Sequence, residues 1–450
     1  MRIGIVGRML PHPCVRRYFN STDGPSGCML TVMARKFETQ DIYRGTIISR
    51  VKRARQESDP RKRDLSPSVL DFGPVRFVLA RHFGFCYGVE NAIEIAYDTL
   101  AANPGRRVFF LSEMIHNPRV NGDLRERGVR FMFTPAGEQL VPWDDVDAGD
   151  IVVVPAFGTT LEMQEKLIER GIDPYTYNTT CPFVEKVWKR SAELGAKGFT
   201  VVVHGKATHE ETRATFSHSA SGAPTVVVRD LEEARSLAGA ISGEAGAIDF
   251  DEQFGHKCSP GFDPGRDLQR IGVVNQTTML ATETREIARL LRRALVVRFG
   301  DGAIADHFAD TSDTLCYATN ENQNATCALT ERGADLALVV GGYNSSNTSH
   351  IVELCEAAMP TYFVHGEDEI LSGDKIRHFV LNRREVEVTE GWLPAKRPAE
   401  IVLTSGASCP DALLDGVLLK VLTLFNGTST VARALEPYPD PVPQGNTERK

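Results

Sequence analysis

One pattern recurs along most of this chain and constrains its fold more than any other feature: a short strand, a polar loop, then a helix. Runs of four to five apolar residues are typical of strands buried on both faces of a parallel sheet. The segment after each loop has helical spacing and starts with Thr, Ser, Asn or Pro, which favour helix N-termini. The pattern therefore predicts an α/β protein with parallel sheets. Its six instances are 107–128, 150–171, 199–217, 271–295, 334–358 and 400–422.

The six polar loops occupy the position where α/β proteins bind ligands, beyond the carboxyl ends of the strands. Their side chains are hydroxyls, amides and histidines, and each loop leads into a helix N-terminus, which favours anions. Helix capping uses the same residue types, so one such loop alone is weak evidence. Six loops together predict a site for a phosphorylated or diphosphate ligand.

Three cysteines lie in similar contexts: Cys86 in FGFCYGV, Cys181 in NTTCPFV and Cys316 in DTLCYAT. None has a second cysteine at metal-ligand spacing. The two intervals between them are nearly equal once a polar, Gly-rich stretch near 241–270 is set aside as an insertion. This arrangement predicts one thiolate from each of three repeated units, meeting at a central cluster. Three protein ligands would leave one corner of that cluster open for chemistry.

Composition excludes several classes of protein. The 450 residues suggest two to three compact α/β units, and the net charge of −8 argues against a general nucleic-acid or anionic-membrane binder. No apolar run approaches the roughly 18 residues that span a bilayer. Nine scattered cysteines favour a reducing compartment over a disulfide framework. Beyond the three already named, cysteines are assigned no ligand role, and Cys327 and Cys355 are expected to lie in the core.

The two ends of the chain differ from its middle. The first 25 residues are Arg-rich, residues 51–63 read as a basic linker, and the last fifteen are Pro-rich and polar. A mobile extension, or a true start near Met29 or Met33, is favoured over a transit peptide, so we expect a cytoplasmic protein with a plastid as the alternative. The expected domains are an N-terminal extension that is partly disordered, three α/β domains and a disordered tail: 1–71, 72–176, 177–311 with the insertion near 241–270, 312–435 and 436–450.

Two histidines and a glutamate lie in the predicted strand-to-helix loops. His116 in MIHNP and His209 in ATHEET could be ordinary surface residues, and Glu211 could simply complement a helix dipole. If Glu211 instead faces a buried cluster site, its pKa would rise enough for proton transfer. The residues alone leave both interpretations open.

Three further loops carry several hydroxyl or amide side chains each. Ser345, Ser346 and Asn347 lie in GGYNSSNTSH, Ser408 lies in LTSGASCP, and Thr277 lies in NQTTML. Helix capping, worth about 1 kcal/mol, would explain each one separately. Converging loops of this kind would instead make a diphosphate cradle.

At these motifs the chain resembles the 4-hydroxy-3-methylbut-2-enyl diphosphate reductase family (LytB/IspH). The resemblance runs from about residue 75 to 425, and HGKATHEET, NQTTML and GGYNSSNTSH look like the plant and cyanobacterial branch. The motifs occur in the family's order: FGFCYGVENAI, IHNPRVNGDLRERG, TTCPFVEKVW, HEET, NQTTML, DTLCYATNENQ, NSSN and SGASCPD.

This resemblance implies three similar α/β domains in a pseudo-threefold arrangement around a central 4Fe–4S cluster. Cys86, Cys181 and Cys316 would ligate three irons, and the fourth iron would bind the allylic hydroxyl of the substrate. Glu211, helped by Thr277, would deliver the proton that lets hydroxide leave as water. The diphosphate would be held by His116, His209, Ser345, Asn347 and Ser408, with Ser346 nearby.

The implied reaction is the last step of the non-mevalonate (MEP) isoprenoid route. Two single electrons, from ferredoxin or flavodoxin, would convert 4-hydroxy-3-methylbut-2-enyl diphosphate to isopentenyl and dimethylallyl diphosphate. The chain departs from the commoner bacterial pattern at Phe157 in PAFGTT, where that pattern has histidine. Phe157 is expected to form an apolar wall, leaving Thr159 or Thr160 as possible polar contacts.

Three other functions compete with this one. A three-cysteine 4Fe–4S dehydratase resembling quinolinate synthase would share the open iron, but the NSSN and SGAS pair argues for a diphosphate. A non-catalytic cluster-binding redox sensor would not need Glu211. A cluster-free phosphosugar-binding protein would be colourless and free of iron.

Overall fold

The computed structural model describes residues 41–243, 249–311 and 314–439. The predictions for residues 1–40 and 440–450, including the start site and most of the tail, lie outside the described residues. No helix within the described ranges is both long and apolar enough to cross a bilayer.

The strands, in chain order, are β1 (Ser68–Asp71), β2 (Val75–Leu79), β3 (Val108–Phe110), β4 (Arg130–Phe131), β5 (Ile151–Val153), β6 (Thr200–His204), β7 (Thr225–Val228), β8 (Ile271–Asn275), β9 (Phe308–Ala309), β10 (Leu336–Val340), β11 (Thr361–Val364), β12 (Lys375–Val380), β13 (Glu385–Glu390) and β14 (Ala399–Ser405).

The α-helices are α1 (Ile47–Ser58), α2 (Tyr87–Ala102), α3 (Pro118–Glu126), α4 (Leu161–Glu169), α5 (Pro182–Ala196), α6 (Glu210–Ala220), α7 (Leu231–Ser242), α8 (Phe250–Phe254), α9 (Pro264–Asp267), α10 (Ala281–Phe299), α11 (Ile304–His307), α12 (Tyr317–Arg332), α13 (Ser346–Glu356), α14 (Asp411–Leu422) and α15 (Val431–Ala434). Short 3₁₀ turns cover Asp41–Tyr43, Trp143–Asp145, Gly255–Lys257, Asp301–Ala303 and Glu367–Glu369.

Three sheets contain these strands, and the α/β class predicted from the sequence is confirmed. One sheet has the order β4-β3-β5 and another β7-β6-β8-β9, all with parallel neighbours. The largest has the order β1-β2-β14-β10-β11-β12-β13, and its central strands β2, β14, β10 and β11 are parallel. All six predicted strand–loop–helix units are present, because buried apolar runs and helical spacing are local signals.

Each sheet supports one of the helices that follow the three predicted ligand cysteines. Helix α2 packs its Ala92 and Ile93 against the three-stranded sheet. Helix α5 packs Val187 against the four-stranded sheet, and α12 packs Leu329 against the seven-stranded sheet. Three similar helices on three separate sheets give the arrangement a pseudo-threefold character.

The predicted domain bounds stay a prediction, but sheet membership departs from them at two strands. Strand β1 lies within the predicted extension 1–71 yet pairs antiparallel with β2, with Val69 opposite Val78. Strand β2 lies within the range 72–176 yet pairs in parallel with β14, with Phe77 opposite Ile401. A short apolar strand carries no local mark of which sheet it will join. The stretch near 241–270 contributes α8 and α9. Phe254 of α8 and Leu268, the residue directly after α9, are buried against the four-stranded sheet.

The basic linker predicted for 51–63 is wrong in its first half, which belongs to helix α1. Ile47, Ile48 and Val51 of this helix are buried in the core of the seven-stranded sheet. The backbone N–H groups of Ile47 and Ile48 both donate to the Asp415 carboxylate at 2.9 Å. That carboxylate caps the helix from a distant part of the chain, since Thr46 makes no side-chain cap.

We expect Asp415→Ala to destabilise the protein by about 1–3 kcal/mol, because two N–H groups of a buried helix start lose their acceptor. Asp415→Asn keeps one acceptor oxygen and should lose less. The free energy of unfolding in urea and the hydrogen-exchange rates of Ile47–Val51 measure the effect. Unchanged exchange in Asp415→Ala would show that the cap contributes nothing.

Candidate active site

The three cysteines occupy equivalent positions, each immediately before a helix. Cys86, Cys181 and Cys316 are the N-terminal flanking residues of α2, α5 and α12, with extended backbone at all three. The first-turn amides of each helix act to lower the pKa of the thiol before it, for example those of Gly88 and Val89 on Cys86. Helix N-termini generally stabilise thiolates in this way.

Burial acts in the opposite direction and is stronger. It raises the pKa of Cys86 to about 12, with a further contribution from Cys316. The pKa of Cys181 lies well above its usual value, through burial and then through Cys316 and Cys86. Since Cys316 acts on both Cys86 and Cys181, the three thiols lie close together. An added Cβ on Gly88 would meet the Cys181 Sγ at 2.5 Å, so only glycine lets that thiol approach α2.

One cavity lies between the three cysteines, and every predicted site residue except His209 lines it. His209 is one layer behind: its ring centroid lies 5.1 Å from that of His116 and 5.6 Å from that of Phe157. The lining residues are Cys86, Gly88, Val89, Ile115, His116, Ala156, Phe157, Cys181, Val184, Glu211, Thr277, Thr278, Cys316, Ala318, Thr319, Ser345, Ser346, Asn347, Ala407 and Ser408.

Hydrogen bonds assign the same neutral tautomer to both histidines. The Asn344 Nδ2 donates to His116 Nδ1 at 3.1 Å, and the Glu211 backbone N–H donates to His209 Nδ1 at 3.2 Å. The hydrogen of each ring therefore lies on Nε2. Both Nε2 atoms are buried without a partner among the described residues. Burial, then the charges of His116 and Lys206, hold the pKa of His209 well below its usual value.

Glu211 is held so that one of its carboxyl oxygens is fixed and the other is available. The backbone N–H of Thr277 donates to Oε1, while Oε2 is buried without a partner among the described residues. Burial raises the pKa of Glu211 to about 7, with the Thr277 amide acting in the opposite direction. The carboxyl group can therefore carry a proton near neutral pH.

The hydroxyl-rich loops meet at the same cavity, and capping explains only part of them. Ser345 caps α13, accepting from the Thr348 N–H at 3.3 Å. Ser408 caps no helix: its Oγ donates to the His116 carbonyl at 3.2 Å and lies 3.4 Å from the Ser345 Oγ. Asn347 accepts from the Ala407 N–H at 2.8 Å, so it ties two of the loops together.

Phe157 forms part of the cavity wall, as predicted, and stacks on the His116 ring with centroids 4.4 Å apart. The two threonines proposed as polar contacts line a neighbouring cavity instead. Thr160 is used as the cap of α4, accepting from the Met163 N–H at 3.3 Å. The prediction of polar contacts from Thr159 or Thr160 is therefore not met in the central cavity.

Two residues without an assigned role position the predicted ones. Asn344 directs the His116 tautomer and also donates to the Glu113 carboxylate at 3.0 Å. Gln276 is fully buried and accepts from the Lys206 N–H at 3.1 Å and from the Thr212 hydroxyl at 2.9 Å. In the sequence, the only sign of these positioning roles is adjacency: Asn344 directly precedes Ser345, and Gln276 directly precedes Thr277.

The outcome for the remaining cysteines is mixed. Cys355 is fully buried in the core, as predicted. Cys327 is exposed, so its predicted core position is wrong: α12 turns that residue toward solvent while its neighbour Thr326 is buried.

The fold and the site together define an α/β protein with parallel sheets whose central cavity is lined by three thiols and by polar loops rich in hydroxyl and amide groups. A protein-family model described as LytB protein matches residues 77–422. The chain therefore belongs to the LytB family.

Similar proteins support this family membership. A 4-hydroxy-3-methylbut-2-enyl diphosphate reductase of Thermosynechococcus vestitus is 41% identical over 353 residues, covering 78% of this chain and 85% of the relative. The enzyme of the same name from Synechococcus sp. strain RCC307 is 42% identical over 353 residues, with 78% and 84% covered. A solved reductase structure from Plasmodium falciparum, at 19% identity, has a TM-score of 0.56 over 78% of this chain and 88% of that one. At that identity the likeness concerns the fold.

We expect Gln276→Leu to lower the free energy of unfolding by about 1–3 kcal/mol, because the Lys206 N–H and the Thr212 hydroxyl are then buried without an acceptor. Gln276→Glu retains both acceptor contacts but loses the donation to Thr278 and adds an ionisable group in the interior, so it is the matched control at low pH, where its carboxyl group is neutral. Urea denaturation compares the two variants. Equal stability of Gln276→Leu and wild type would mean that water replaces the lost acceptor.

Proposed function

We propose that this chain catalyses the reductive dehydroxylation of 4-hydroxy-3-methylbut-2-enyl diphosphate to isopentenyl and dimethylallyl diphosphate, the final step of the non-mevalonate isoprenoid pathway. The LytB match and the reductase names of the relatives support this reaction. The observation that carries it is one cavity lined by three thiols, by the Glu211 carboxyl group with its raised pKa, and by His116, whose Nε2–H has no partner among the described residues.

The proposed cofactor is a 4Fe–4S cluster with one open iron, held by Cys86, Cys181 and Cys316. Within 41–243, 249–311 and 314–439, no three His, Cys, Asp or Glu side chains are placed to share a single metal ion. A cluster needs no such arrangement, since each thiolate binds a different iron. The three thiols surround a common cavity, and ligation would offset the burial that raises the pKa of each. The residues present therefore fit the group.

The diphosphate is proposed to lie against the polar loops. His116 and His209 offer Nε2–H donors that no other described group uses, and Ser408 and Ser345 add hydroxyls 3.4 Å apart. The N-terminus of α13 favours a bound anion. Asn347 keeps one amide hydrogen for the ligand while its carbonyl holds the loop, and Ser346 also lines the cavity.

The chemistry consumes two electrons and two protons and releases one water, as the C–O bond to the allylic hydroxyl breaks and a C–H bond forms. When bound, the cluster supplies a Lewis acid for the hydroxyl and a route for single electrons. Glu211, held by the Thr277 amide, donates the proton with which hydroxide leaves as water. Phe157 closes one wall of the cavity against solvent. Ferredoxin or flavodoxin is the proposed donor, and the cytoplasmic location stays a prediction.

Cys181→Ser is expected to lose most of the bound iron, the visible absorbance of the cluster and the activity, because a hydroxyl does not replace a thiolate ligand. Cys355→Ser is the matched control: it also changes a buried cysteine, but one in the core away from the cavity. Iron content and absorbance after anaerobic purification measure the difference. A colourless wild-type protein would overturn the cluster assignment.

Glu211→Gln is expected to lower kcat by about 10²–10⁴, because an amide cannot deliver the proton. The raised pKa of about 7 in the substrate-free protein also predicts a wild-type kcat/KM that falls as pH rises through that value, since the donating form is the protonated one. The variant should lose this pH dependence. Anaerobic turnover with reduced viologen at several pH values measures both effects.

The neighbouring glutamate supplies a strict control for this prediction. Burial also raises the pKa of Glu210 to about 7, but Glu210 lines side cavities rather than the central one. Glu210→Gln should therefore keep both the rate and the pH profile. Equal losses in Glu210→Gln and Glu211→Gln would refute a specific role for Glu211.

A further inference from the structure

Four arginines border the chain just before Cys316, outside the site already described. Arg285, Arg289 and Arg292 lie at i, i+4 and i+7 on one face of α10, and all three are exposed. They line a cavity of about 480 Å³ together with residues that include Asp310 and Leu315. Arg190 of α5 donates to the carbonyl of Asp310 at 2.7 Å and so reaches the edge of the same cavity. We name these four residues the arginine face.

The arginine face keeps much of its positive charge. Arg292 pairs at 3.7 Å with Asp301, whose side chain is 81% exposed, and such surface pairs are weak. The Arg285 Nε donates to a backbone carbonyl of its own helix. Arg190 pairs at 2.9 Å with Glu193, whose side chain is 57% exposed, so this pair is weak as well. No ion pair joins Arg289 to any described residue. A concentrated positive surface is distinctive on a chain whose net charge is −8.

The arginine face adjoins the surface residues that neighbour two of the proposed ligand cysteines, Cys316 and Cys181, in the chain. Leu315, in the arginine-lined cavity, is the residue before Cys316, and Tyr317, the residue after it, is 48% exposed. The ring of Tyr317 lies 6.1 Å from that of Phe183, two residues after Cys181. Phe183 is seven residues before Arg190 on α5, so the two lie on the same side of that helix.

We propose that the arginine face is the docking surface for an acidic one-electron carrier protein, with a ferredoxin as the probe that tests it. The inference rests on the proposed function, because a reductase of this kind must receive single electrons from a carrier. Acidic groups on the carrier would complement the four arginines, while the net negative charge of the remaining surface would repel it. Docking there orients the carrier toward Cys181 and Cys316, past the aromatic pair Phe183 and Tyr317.

The first test measures binding and does not depend on turnover. A plant-type [2Fe–2S] ferredoxin is titrated calorimetrically into the cluster-containing protein at low ionic strength. The double substitution Arg285→Glu with Arg289→Glu should weaken the Kd about tenfold or more, and salt should weaken the wild-type affinity. The matched control, Arg125→Glu with Arg130→Glu, changes the charge equally at exposed arginines of the three-stranded sheet region and should bind normally. Equal Kd values for both double variants would overturn the proposal.

The second test separates docking from chemistry. With ferredoxin as donor, the Arg285→Glu, Arg289→Glu protein should show a raised KM for ferredoxin, while its rate with dithionite-reduced viologen and its iron content stay at wild-type levels. Replacing the same two arginines with lysine should restore ferredoxin use. A loss of activity with both ferredoxin and reduced viologen would contradict a docking role. A wild-type protein that binds ferredoxin at this face but reduces no substrate with viologen would refute the proposed function and leave the docking surface standing.

Discussion

The site depends on burying three thiols that repel one another once they are ionised. Burial raises the pKa values of Cys86, Cys181 and Cys316, and the charge of a neighbouring thiol adds to this at Cys86 and Cys181; the helix amides, with the Thr319 hydroxyl at Cys316, act in the other direction. Thiolates in this position need a positive counter-charge, so burial alone favours protonated thiols, and ligation to iron would favour thiolates. The convergence also needs close backbone contacts. An added Cβ on Gly342 would meet the His116 carbonyl at 2.4 Å, so the third-sheet loop reaches His116 only because that residue is glycine.

The sequence was informative wherever the signal was local. Apolar runs and helix starts predicted all six strand–loop–helix units, and shared context predicted that the three cysteines would meet. Pairing between distant strands leaves no such trace, which is why β2 beside β14 was not anticipated. Helix α1 was mistaken for a linker because its charged residues outnumber Ile47, Ile48 and Val51, and because its cap comes from Asp415.

Within the site, the residue types were predictable from the sequence, but the orientations of the side chains and the tautomers of the histidines were not. Nothing in HEET distinguishes two adjacent glutamates. The structure does, because α6 turns Glu211 toward the thiols and Glu210 toward a side cavity. The His116 tautomer depends on Asn344, a contact that exists only after distant loops have met, whereas the His209 tautomer depends on the Glu211 amide two residues further along the chain. Orientation of this kind is a property of the packed core rather than of the motif.

The lining of the central cavity contains no lysine or arginine among the described residues, although its proposed ligand is a diphosphate. Neutral N–H and O–H donors stabilise an anion without cancelling its charge, and the buried surroundings screen that charge weakly. A bound diphosphate would therefore raise the pKa of Glu211 further above about 7 and keep the carboxyl group protonated until hydroxide leaves. A lysine in the same place would bind the anion more strongly but would lower that pKa. Neutral donors thus allow anion binding and proton delivery to operate in one cavity.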